Sequence, residues 1–357
     1  MATTVNLPQV QEPPSAEKAA EKTHHVAVQP STGNGRDKIH WSKEVWDRID
    51  KAVHTEMMRT RVGQKFLPIR PVFPRTTSVP SDFIGTPTQA NPTFTVDEGE
   101  TTRLNEFWVE FSLTPQQVDH ETGDLMELGH STALTLATRA ANILAQAEDA
   151  VIFQGSNAFP QPSLFNPPAP AAGAAPTPPS VLNRGTPTDA GLLDLPIGGA
   201  ANPPLLPAVQ AVQVAPLAGS PGVYGSNTFQ QVAKAYALLQ GSGQYGPYAL
   251  VLQTTPYADT YAPVAAGLVI TADRIKPLTT AGFYGSGTLP TANLPGAAVS
   301  SGVLVSLGGN TMDLVVGLDA TTSFMQQDPN GNYRFRVVQR FALRLKDTTG
   351  VVRLEFQ

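Results

Sequence analysis

The sequence predicts an α+β protein with helices mainly in its first half and β-sheet in its last third. Apolar residues recur at helical spacing from Ser42, and a longer helical pattern covers 124–153. After residue 332, apolar and polar residues alternate in three successive runs, which is typical of strands with one covered face. The two periodicities occupy separate segments, which indicates the α+β class.

Composition narrows the possible functions. The 357 residues are enough for one large domain or two to three smaller ones, and a hydrophobic fraction of 41% provides a core. A net charge of -5 argues against a general nucleic-acid binder, so we expect no nucleic-acid partner. The absence of cysteine excludes disulfides, thiol nucleophiles and cysteine-ligated metals. No run approaches the roughly 20 apolar residues of a membrane span, so we predict a soluble cytoplasmic protein without a membrane partner.

Composition also changes along the chain, and it divides the chain into segments. Residues 1–38 contain almost no large apolar side chains, so we predict a disordered arm. Residues 156–223 include fifteen prolines, which disfavours regular helix or central sheet and predicts an exposed insertion. The other predicted segments are a first-helix region (39–79), an extended two-stranded arm (80–113), a long helix (114–155), a second domain (224–312) and a C-terminal sheet (313–357).

The first helix has a clear apolar face and plausible ends. Ser42 is a suitable N-cap, and Gly63 ends the pattern. We expect one face to bury Trp46, Ile49, Val53 and Met57. In the long helix, Gly155 is the predicted stop. We expect its buried stripe to contain Leu136, Ala140, Ile143, Ala147 and Val151.

Strand patterns fill much of the rest. Residues 106–113 alternate apolar and polar side chains, and we pair them with the residues from 80 onward as a two-stranded arm. An isolated hairpin is marginal in water, so a neighbouring subunit could supply the surface that the arm needs. A short helix at 229–239 and buried strands at 248–253 and 313–316 follow.

Motifs that could carry chemistry have weak support. Gly241 to Gly246 match a dinucleotide fingerprint, but a helix precedes the motif and a strand follows it, the reverse of the required order. Ser15 and Lys18 resemble a nucleophile pair but lie in the predicted disordered arm. A metal cluster would have to combine Asp119, His120, Glu121 and His130, whose spacing matches no standard ligand set. We therefore predict no enzyme, no metal site and no cofactor.

An acidic pair and a basic strip can each be interpreted in two ways. Glu148 and Asp149 could form an acidic pair, but adjacent helix residues point in different directions, which favours a salt bridge. A basic strip could touch an acidic partner, or it could be a solvated sheet face. Its members are Arg334, Arg336, Arg340 and Arg344.

Six segments, taken in order, resemble the encapsulin (linocin-type) shell family. The first pairs Trp-Asp-Arg-Ile-Asp at 46–50 with Gly-Gln-Lys-Phe at 63–66, and it resembles the family's N-terminal helix. The strand at 106–113 resembles its extended arm. The remaining four are Ala-Glu-Asp-Ala-Val-Ile-Phe-Gln-Gly (147–155), Tyr-Gly-Pro-Tyr-Ala-Leu-Val (245–251), Asp-Leu-Val-Val-Gly-Leu-Asp (313–319) and Tyr-Arg-Phe-Arg-Val-Val-Gln-Arg-Phe (333–341).

The resemblance implies a Hong-Kong-97-type capsid fold with a peripheral domain, an axial domain and an extended loop. The spine helix at 114–155 and the sheet at 313–357 would belong to the peripheral domain, and 224–312 would be the axial domain. It implies self-assembly into a closed icosahedral shell that encloses a cargo enzyme in the cytoplasm. The expected partners are further copies of the chain and a cargo protein with a C-terminal targeting peptide, a peroxidase or a ferritin-like protein.

The resemblance also implies a docking groove for the cargo peptide between the first helix and the sheet. The matching residues here are Ile49, Val53, Met57 and Thr322. Their pattern would be equally well explained if they simply packed in the core. Thr322 stands where relatives often have an aliphatic residue. The arm at 1–38 and the insertion at 156–223 are also longer than the corresponding segments of usual shells. These departures leave the type of cargo peptide open. The alternative function is that of a tailed-phage or prophage major capsid protein, which shares the fold and packages DNA.

Overall fold

The computed structural model describes residues 35–85, 93–121, 131–159, 164–165, 180–184, 190–195, 209–263, 269–290 and 298–357. The chain divides into two units, Met1–Ser31 and Thr32–Gln357, and all described residues belong to the second. The predicted disordered arm therefore lies outside the described residues, except at 35–38. There the structure differs from the prediction, because Arg36–Lys38 form a 3-10 turn.

The helices of the described residues are α1 (Lys43–Thr60), α2 (Pro115–His120), α3 (Thr132–Gln154), α4 (Ser226–Gly241), α5 (Thr254–Asp259) and α6 (Thr271–Ile275). Short 3-10 turns follow three of these helices, at Gly63–Lys65, Gly155–Ala158 and Lys276–Leu278. Two more follow strands, at Gly308–Asn310 and Thr348–Gly350.

Helix α1 confirms the predicted apolar face, since Trp46, Ile49, Val53 and Met57 are all buried. Ser42 stands at the N-cap position, but its side chain makes no hydrogen bond to the backbone there. A hydrogen bond from Ser42 instead lowers the pKa of the Glu44 carboxyl.

Helix α3 begins later than predicted. Its first residue is Thr132, and the side chain of Ser131 accepts a hydrogen bond from Leu134 N at 2.9 Å. The predicted start at 124 lies outside the described residues. Gly155 ends the helix with φ 54°, as expected of a left-handed glycine stop.

The predicted stripe of α3 is partly correct. Ala140, Ala147 and Val151 are buried, whereas Leu136 and Ile143 are only half-buried. From Ala147 to the end, every residue of the helix is buried, because chain segments cover it on all sides. Such all-round burial removes the one-sided pattern on which the prediction depended.

The strands form two five-stranded sheets and two short ladders. The first sheet has the order β1 (Ile69–Pro71), β12 (Met312–Gln327), β13 (Tyr333–Leu345), β6 (Asn105–Leu113), β7 (Leu182–Arg184). The second has the order β10 (Gly282–Ser286), β9 (Tyr248–Gln253), β11 (Ser300–Ser306), β14 (Val351–Phe356), β8 (Gln210–Val214). The ladders pair β2 (Ser78–Pro80) with β5 (Thr101–Arg103) and β3 (Phe83–Gly85) with β4 (Thr95–Asp97).

Helices α1 and α3 pack together against one face of the first sheet. The aromatic rings of Trp41 and Phe335 stack there with centroids 5.2 Å apart, and Trp46 lies 4.9 Å from Trp41. On the second sheet, α4 covers a separate core in which Tyr224 meets Phe356 edge-on at 4.8 Å. Burial of apolar area is the main force that holds these layers together.

The predicted two-stranded arm at 80–113 is wrong in its second half. Strand β6 pairs with β13 along its whole length and with β7 on its other side, so it lies inside the first sheet. Its alternation arises because α3 of the same chain covers its apolar face, rather than a neighbour. The observed arm consists of the two ladders between Ser78 and Arg103.

The predicted C-terminal sheet at 313–357 is divided between the two sheets. Strands β12 and β13 belong to the first, but β14 pairs antiparallel with β11 and parallel with β8 in the second. The turn at Thr348–Gly350 redirects the chain, and the Asp347 side chain accepts a hydrogen bond from Thr349 N at 2.9 Å.

Parts of the predicted exposed insertion at 156–223 contribute to the core, whereas 218–223 are exposed. Strand β7 extends the first sheet and β8 extends the second. Leu192 N and Leu193 N donate to the carbonyls of Ile152 and Phe153 at 3.0 and 2.7 Å, so this segment caps the end of α3. Leu192, Leu193 and Leu195 are buried, so this part of the segment is not exposed as predicted.

Candidate functional site

The four predicted docking residues meet at one seam, which lies between α1 and strand β12. Ile49, Val53, Met57 and Thr322 are each at most 1% exposed. All four therefore lie in the interior, as plain core packing also requires, and their role as a dock stays a prediction.

Arg36 closes the outer end of this seam. Its guanidinium donates to the Thr322 carbonyl at 2.6 and 3.1 Å, pairs with Asp50 at 2.8 Å and lies 4.6 Å from the Trp46 ring centroid. Gly35 precedes it with φ 64°, and a Cβ on this glycine would lie 2.6 Å from the Phe324 carbonyl oxygen. A residue with a side chain would be displaced there, so glycine permits the close approach.

A second polar site lies where α1 ends against α3. The Asp149 carboxylate accepts from Val62 N at 2.8 and 3.0 Å and from Gly63 N at 2.8 Å. Gly63 lies so close to α3 that a Cβ would stand 2.6 Å from Ile152 Cδ1. Asp149 therefore fixes the turn that follows α1.

Glu148 lies beside Asp149, and both are buried. Arg61 Nη1 is 3.7 Å from Glu148 Oε2 and 3.2 Å from Asp319 Oδ1, and His54 Nδ1 is 3.6 Å from Asp319 Oδ2. We call Arg61, Glu148, Asp149 and Asp319 the helix-junction cluster. Among the described residues, Glu148 Oε2 and Arg61 Nε have no hydrogen-bond partner.

These contacts shift the pKa values in different directions. Burial raises the pKa of Asp149 to about 7 against the opposing hydrogen bond from Gly63 N, and burial likewise raises the pKa of Glu148 despite the charge of Arg61. Burial opposes ionisation of Asp319 too, but His54 and Arg61 outweigh it and lower its pKa to about 2. The predicted salt bridge exists for Glu148, which lies 3.7 Å from Arg61. Asp149 instead accepts hydrogen bonds from backbone amides.

The basic strip is neutralised by its neighbours. Arg334 pairs with Glu110 at 2.6 Å, Arg336 lies 3.6 Å from Glu106, and Arg340 also pairs with Glu106. Arg344 is buried in a separate ion-pair group. The strip is therefore a set of paired sheet residues, not a free basic surface.

The weaker motifs have structural roles. Gly241 ends α4, and the rest of its motif forms the turn before β9, so the order is helix, turn and strand. Glu121 accepts from Ser131 Oγ at 2.6 Å and from Ala133 N at 2.9 Å, so it caps α3. His130 and the Ser15–Lys18 pair lie outside the described residues. No group of three or more metal-ligating side chains occurs in the described part of the chain.

A cavity of about 430 Å³ lies between the end of α3 and strand β10. Its lining includes Gln146, Asp149, Gln154 and Ser286, and Asp149 is the only charged residue among those that line it. Within the described ranges, no helix combines the length and apolar character needed to cross a membrane.

The arm and the segment that leads into it expose large apolar side chains. Val96 on its outer ladder is 56% exposed, and Phe94, just before that strand, is 76% exposed. Phe73, which leads into the arm, is 83% exposed. The sequence signal for this surface was present in the alternation of 94–96, but the prediction assigned it a partner strand at 106–113. The exposed face therefore became visible only when the pairing was known.

Comparison with known proteins identifies the family. A family model described as "Encapsulating protein for peroxidase" (Linocin M18) matches residues 34–169 and 213–342. The type 1 encapsulin shell protein EncA of Myxococcus xanthus (strain DK1622) is 31% identical over 127 residues, which is 36% of this chain and 41% of that relative. The chain thus matches less than half the length of this relative.

Solved structures establish the fold. A virus-like particle from Pyrococcus furiosus aligns with a TM-score of 0.58 at 14% identity, covering 87% of this chain and all of that one. The capsid of a native GTA particle aligns with a TM-score of 0.50 at 15% identity, covering 95% and 98% of the two chains. The fold is the Hong-Kong-97-type capsid fold, as predicted.

A shared fold does not separate a cellular shell protein from a phage capsid protein, since one fold supports several functions. The family model does separate them, because it describes an encapsulating protein and matches more than half of the chain. The curated relative is likewise a shell protein. The chain belongs to the encapsulin shell protein family.

Proposed function

We propose that this chain assembles through its arm into a closed icosahedral shell that encloses a cargo enzyme in the cytoplasm. The observation that carries the proposal is the exposure of Phe73, Phe94 and Val96 along and beside a two-stranded ribbon. Membership of a family of encapsulating proteins supports the same conclusion.

The physical argument concerns the arm alone. A two-stranded ribbon is at best marginally stable in water, and large exposed apolar side chains add to the unfavourable hydration. A second copy of the chain that covers the ribbon would stabilise its strands and remove the apolar side chains from water. Repetition of that contact around symmetry axes gives a closed particle, and many weak contacts then act together.

Assembly can be tested with the chain expressed alone. We expect hollow particles of uniform diameter in negative-stain electron microscopy. The double variant Phe94→Ser, Val96→Ser should give subunits or small oligomers, because the apolar contact is lost. Glu98→Gln changes an exposed charge on the same arm and serves as the control. A wild-type chain that stays monomeric, or a double variant that assembles normally, would contradict the proposal.

We propose that the cargo is a peroxidase or a ferritin-like protein with a C-terminal targeting peptide. The description of the family model supports a peroxidase. The proposed dock is the seam at Ile49, Val53, Met57 and Thr322. Because these side chains are buried, a peptide can reach them only if the seam opens, and Arg36 is the group that closes its outer end.

Loading can be tested by co-expressing the shell with a peroxidase that either carries or lacks its C-terminal segment. We expect only the intact peroxidase to co-purify with particles. Arg36→Ala should increase the loaded fraction, while Lys38→Ala, which removes an exposed lysine in the same turn, should not. Equal loading of the truncated peroxidase would contradict a C-terminal peptide, and unchanged loading of Arg36→Ala would contradict the seam as its dock.

A further inference from the structure

The arm bends at its base, between its two ladders. On one side Ser81 and Asp82 separate β2 from β3, and Asp82 has φ 53°. Left-handed backbone is uncommon for a residue with a side chain, although aspartate tolerates it better than most. Such a conformation persists only where the surrounding structure holds it in place.

Arg344 of β13 holds this bend. Its side chain is 1% exposed, and its Nη1 donates to the Pro80 carbonyl at 3.0 Å and to the Asp82 carboxylate. Nε and Nη2 of the same guanidinium donate to Asp313 at 2.9 and 2.6 Å. Lys346 Nζ also binds Asp313, at 2.7 Å. We call Asp82, Asp313, Arg344 and Lys346 the arm-base cluster.

Further contacts fix the same point from both sides. Ile84 N, just past the bend, donates to the Lys346 carbonyl at 2.9 Å. The hydroxyls of Ser81 and Thr102 lie 3.0 Å apart and join the two strands of the arm where the ladders are interrupted. Arg70 Nη1 lies 3.8 Å from Asp82 Oδ2. The base of the arm is thus tied to the first sheet, while its outer ladder exposes apolar side chains.

We infer that the arm-base cluster sets the direction of the arm toward a second copy of this chain, and thereby the diameter of the closed shell. The inference rests on the proposed function, because it concerns how the arm makes that contact. A change in arm direction recurs at every equivalent contact of a symmetric particle, so a small rotation changes the angle between subunits throughout. Asp82 is a positioning residue in this scheme.

Two substitutions at Asp82 separate the ionic contact from the backbone strain. Asp82→Gly accepts the left-handed backbone and deletes the carboxylate. Asp82→Asn keeps the shape of the side chain and its tolerance of φ 53° but replaces the charge-assisted hydrogen bond by a neutral one. Both leave the contacts among Asp313, Arg344 and Lys346 in place, so the subunit should fold. Asp97→Asn, on the opposite strand of the arm, is the matched control.

The measurement is the diameter distribution of purified particles by electron microscopy, with a thermal melting curve for each variant. We expect one diameter for the wild type and for Asp97→Asn, and at least two size classes or open particles for both Asp82 variants. One common diameter for all four proteins would overturn the inference, and so would a lowered melting temperature of the Asp82 variants without a change in diameter. Particles that are absent even from the wild type would overturn the proposed function itself.

Discussion

Asp313 of the arm-base cluster and Glu148 and Asp149 of the helix-junction cluster are all buried carboxylates, yet their pKa values shift in opposite directions. Burial opposes ionisation of Asp313, but hydrogen bonds from Arg344 and Lys346 outweigh it and lower its pKa. Burial raises the pKa of Glu148 and of Asp149, the latter to about 7. The depth of burial alone does not decide the direction.

The distance from each carboxylate to the nearest cation decides the direction. In the arm-base cluster, the carboxylates of Asp82 and Asp313 face the cations of Arg344 and Lys346 at bonding distance. In the helix-junction cluster, Arg61 is the guanidinium beside Glu148 and Asp319, and it reaches Glu148 only at 3.7 Å. Asp313 therefore stays ionised at neutral pH, as does Asp319 beside Arg61, whereas burial lets Asp149 titrate near pH 7. The arm-base cluster therefore suits a fixed connection, whereas Asp149 makes the α1–α3 junction sensitive to pH.

The largest expected loss of stability comes from removing the Arg344 guanidinium of the arm-base cluster. Arg344→Met leaves Asp82 and Asp313 with fewer partners in a buried site, and breaking a buried pair in this way costs about 3–5 kcal/mol of unfolding free energy. We expect a fall of several degrees or more in the melting temperature at pH 7.

Arg334→Met provides the comparison for this variant. Arg334 also pairs with a carboxylate, but its side chain is 42% exposed. Exposed pairs contribute roughly 0–1 kcal/mol, so its melting temperature should stay close to that of the wild type. Equal losses in the two variants would show that burial of the arm-base cluster does not matter for stability.

The next largest effect is a dependence of stability on pH, to which Asp149 of the helix-junction cluster should contribute most. The folded pKa of Asp149, about 7, lies above its ordinary value of 3.8, so the folded chain binds the proton more tightly. The corresponding stability is complete below about pH 4 and is lost as pH rises toward 7, at up to roughly 1.4 kcal/mol per pH unit. The wild type should therefore melt at a higher temperature at pH 5 than at pH 7.

Asp149→Asn tests the source of this dependence. Asparagine stays neutral and keeps one oxygen for the amides of Val62 and Gly63, so the difference between pH 5 and pH 7 should shrink. A smaller dependence of the same sign should persist, because the pKa of Glu148 is raised too. Asp97→Asn, with an exposed carboxylate, should retain the wild-type dependence. An unchanged slope in Asp149→Asn would assign the titration to another group.

The sequence predicted the positions of helices and strands better than it predicted which strands pair with each other. Periodicity located α1, the strands of the last third and the strand at Tyr248–Gln253, because each buries one face or a short continuous run. Pairing was harder to predict. Strand β6 has the alternation of a strand with one covered face, and nothing in that pattern tells whether its own α3 or a neighbour covers it.

The sites show the same limit. The helical spacing that brings Ile49, Val53 and Met57 together is visible in the sequence, but their burial depends on contacts with β12 and on the turn at Arg36. The clusters were missed because their members are far apart in the chain: Arg344 meets Asp82 across 262 positions. Single charged residues carry no local signal of such a partner, whereas apolar periodicity is local by nature.

The smallest predicted effect tests how tightly the helix junction is packed. Gly63→Ala would place a methyl group 2.6 Å from Ile152 Cδ1, and overpacking of this kind costs about 1–3 kcal/mol. Gly241→Ala is the matched control, because no atom lies within 4 Å of its added methyl group and alanine favours the end of α4. We expect the melting temperature to fall for Gly63→Ala and to stay level or rise for Gly241→Ala. A neutral Gly63→Ala would mean that the Ile152 side chain or the turn shifts to admit the methyl group. A shift of the turn would also disturb the amides of Val62 and Gly63 that bind Asp149, so the pH dependence of this variant, measured beside its melting temperature, separates the two responses.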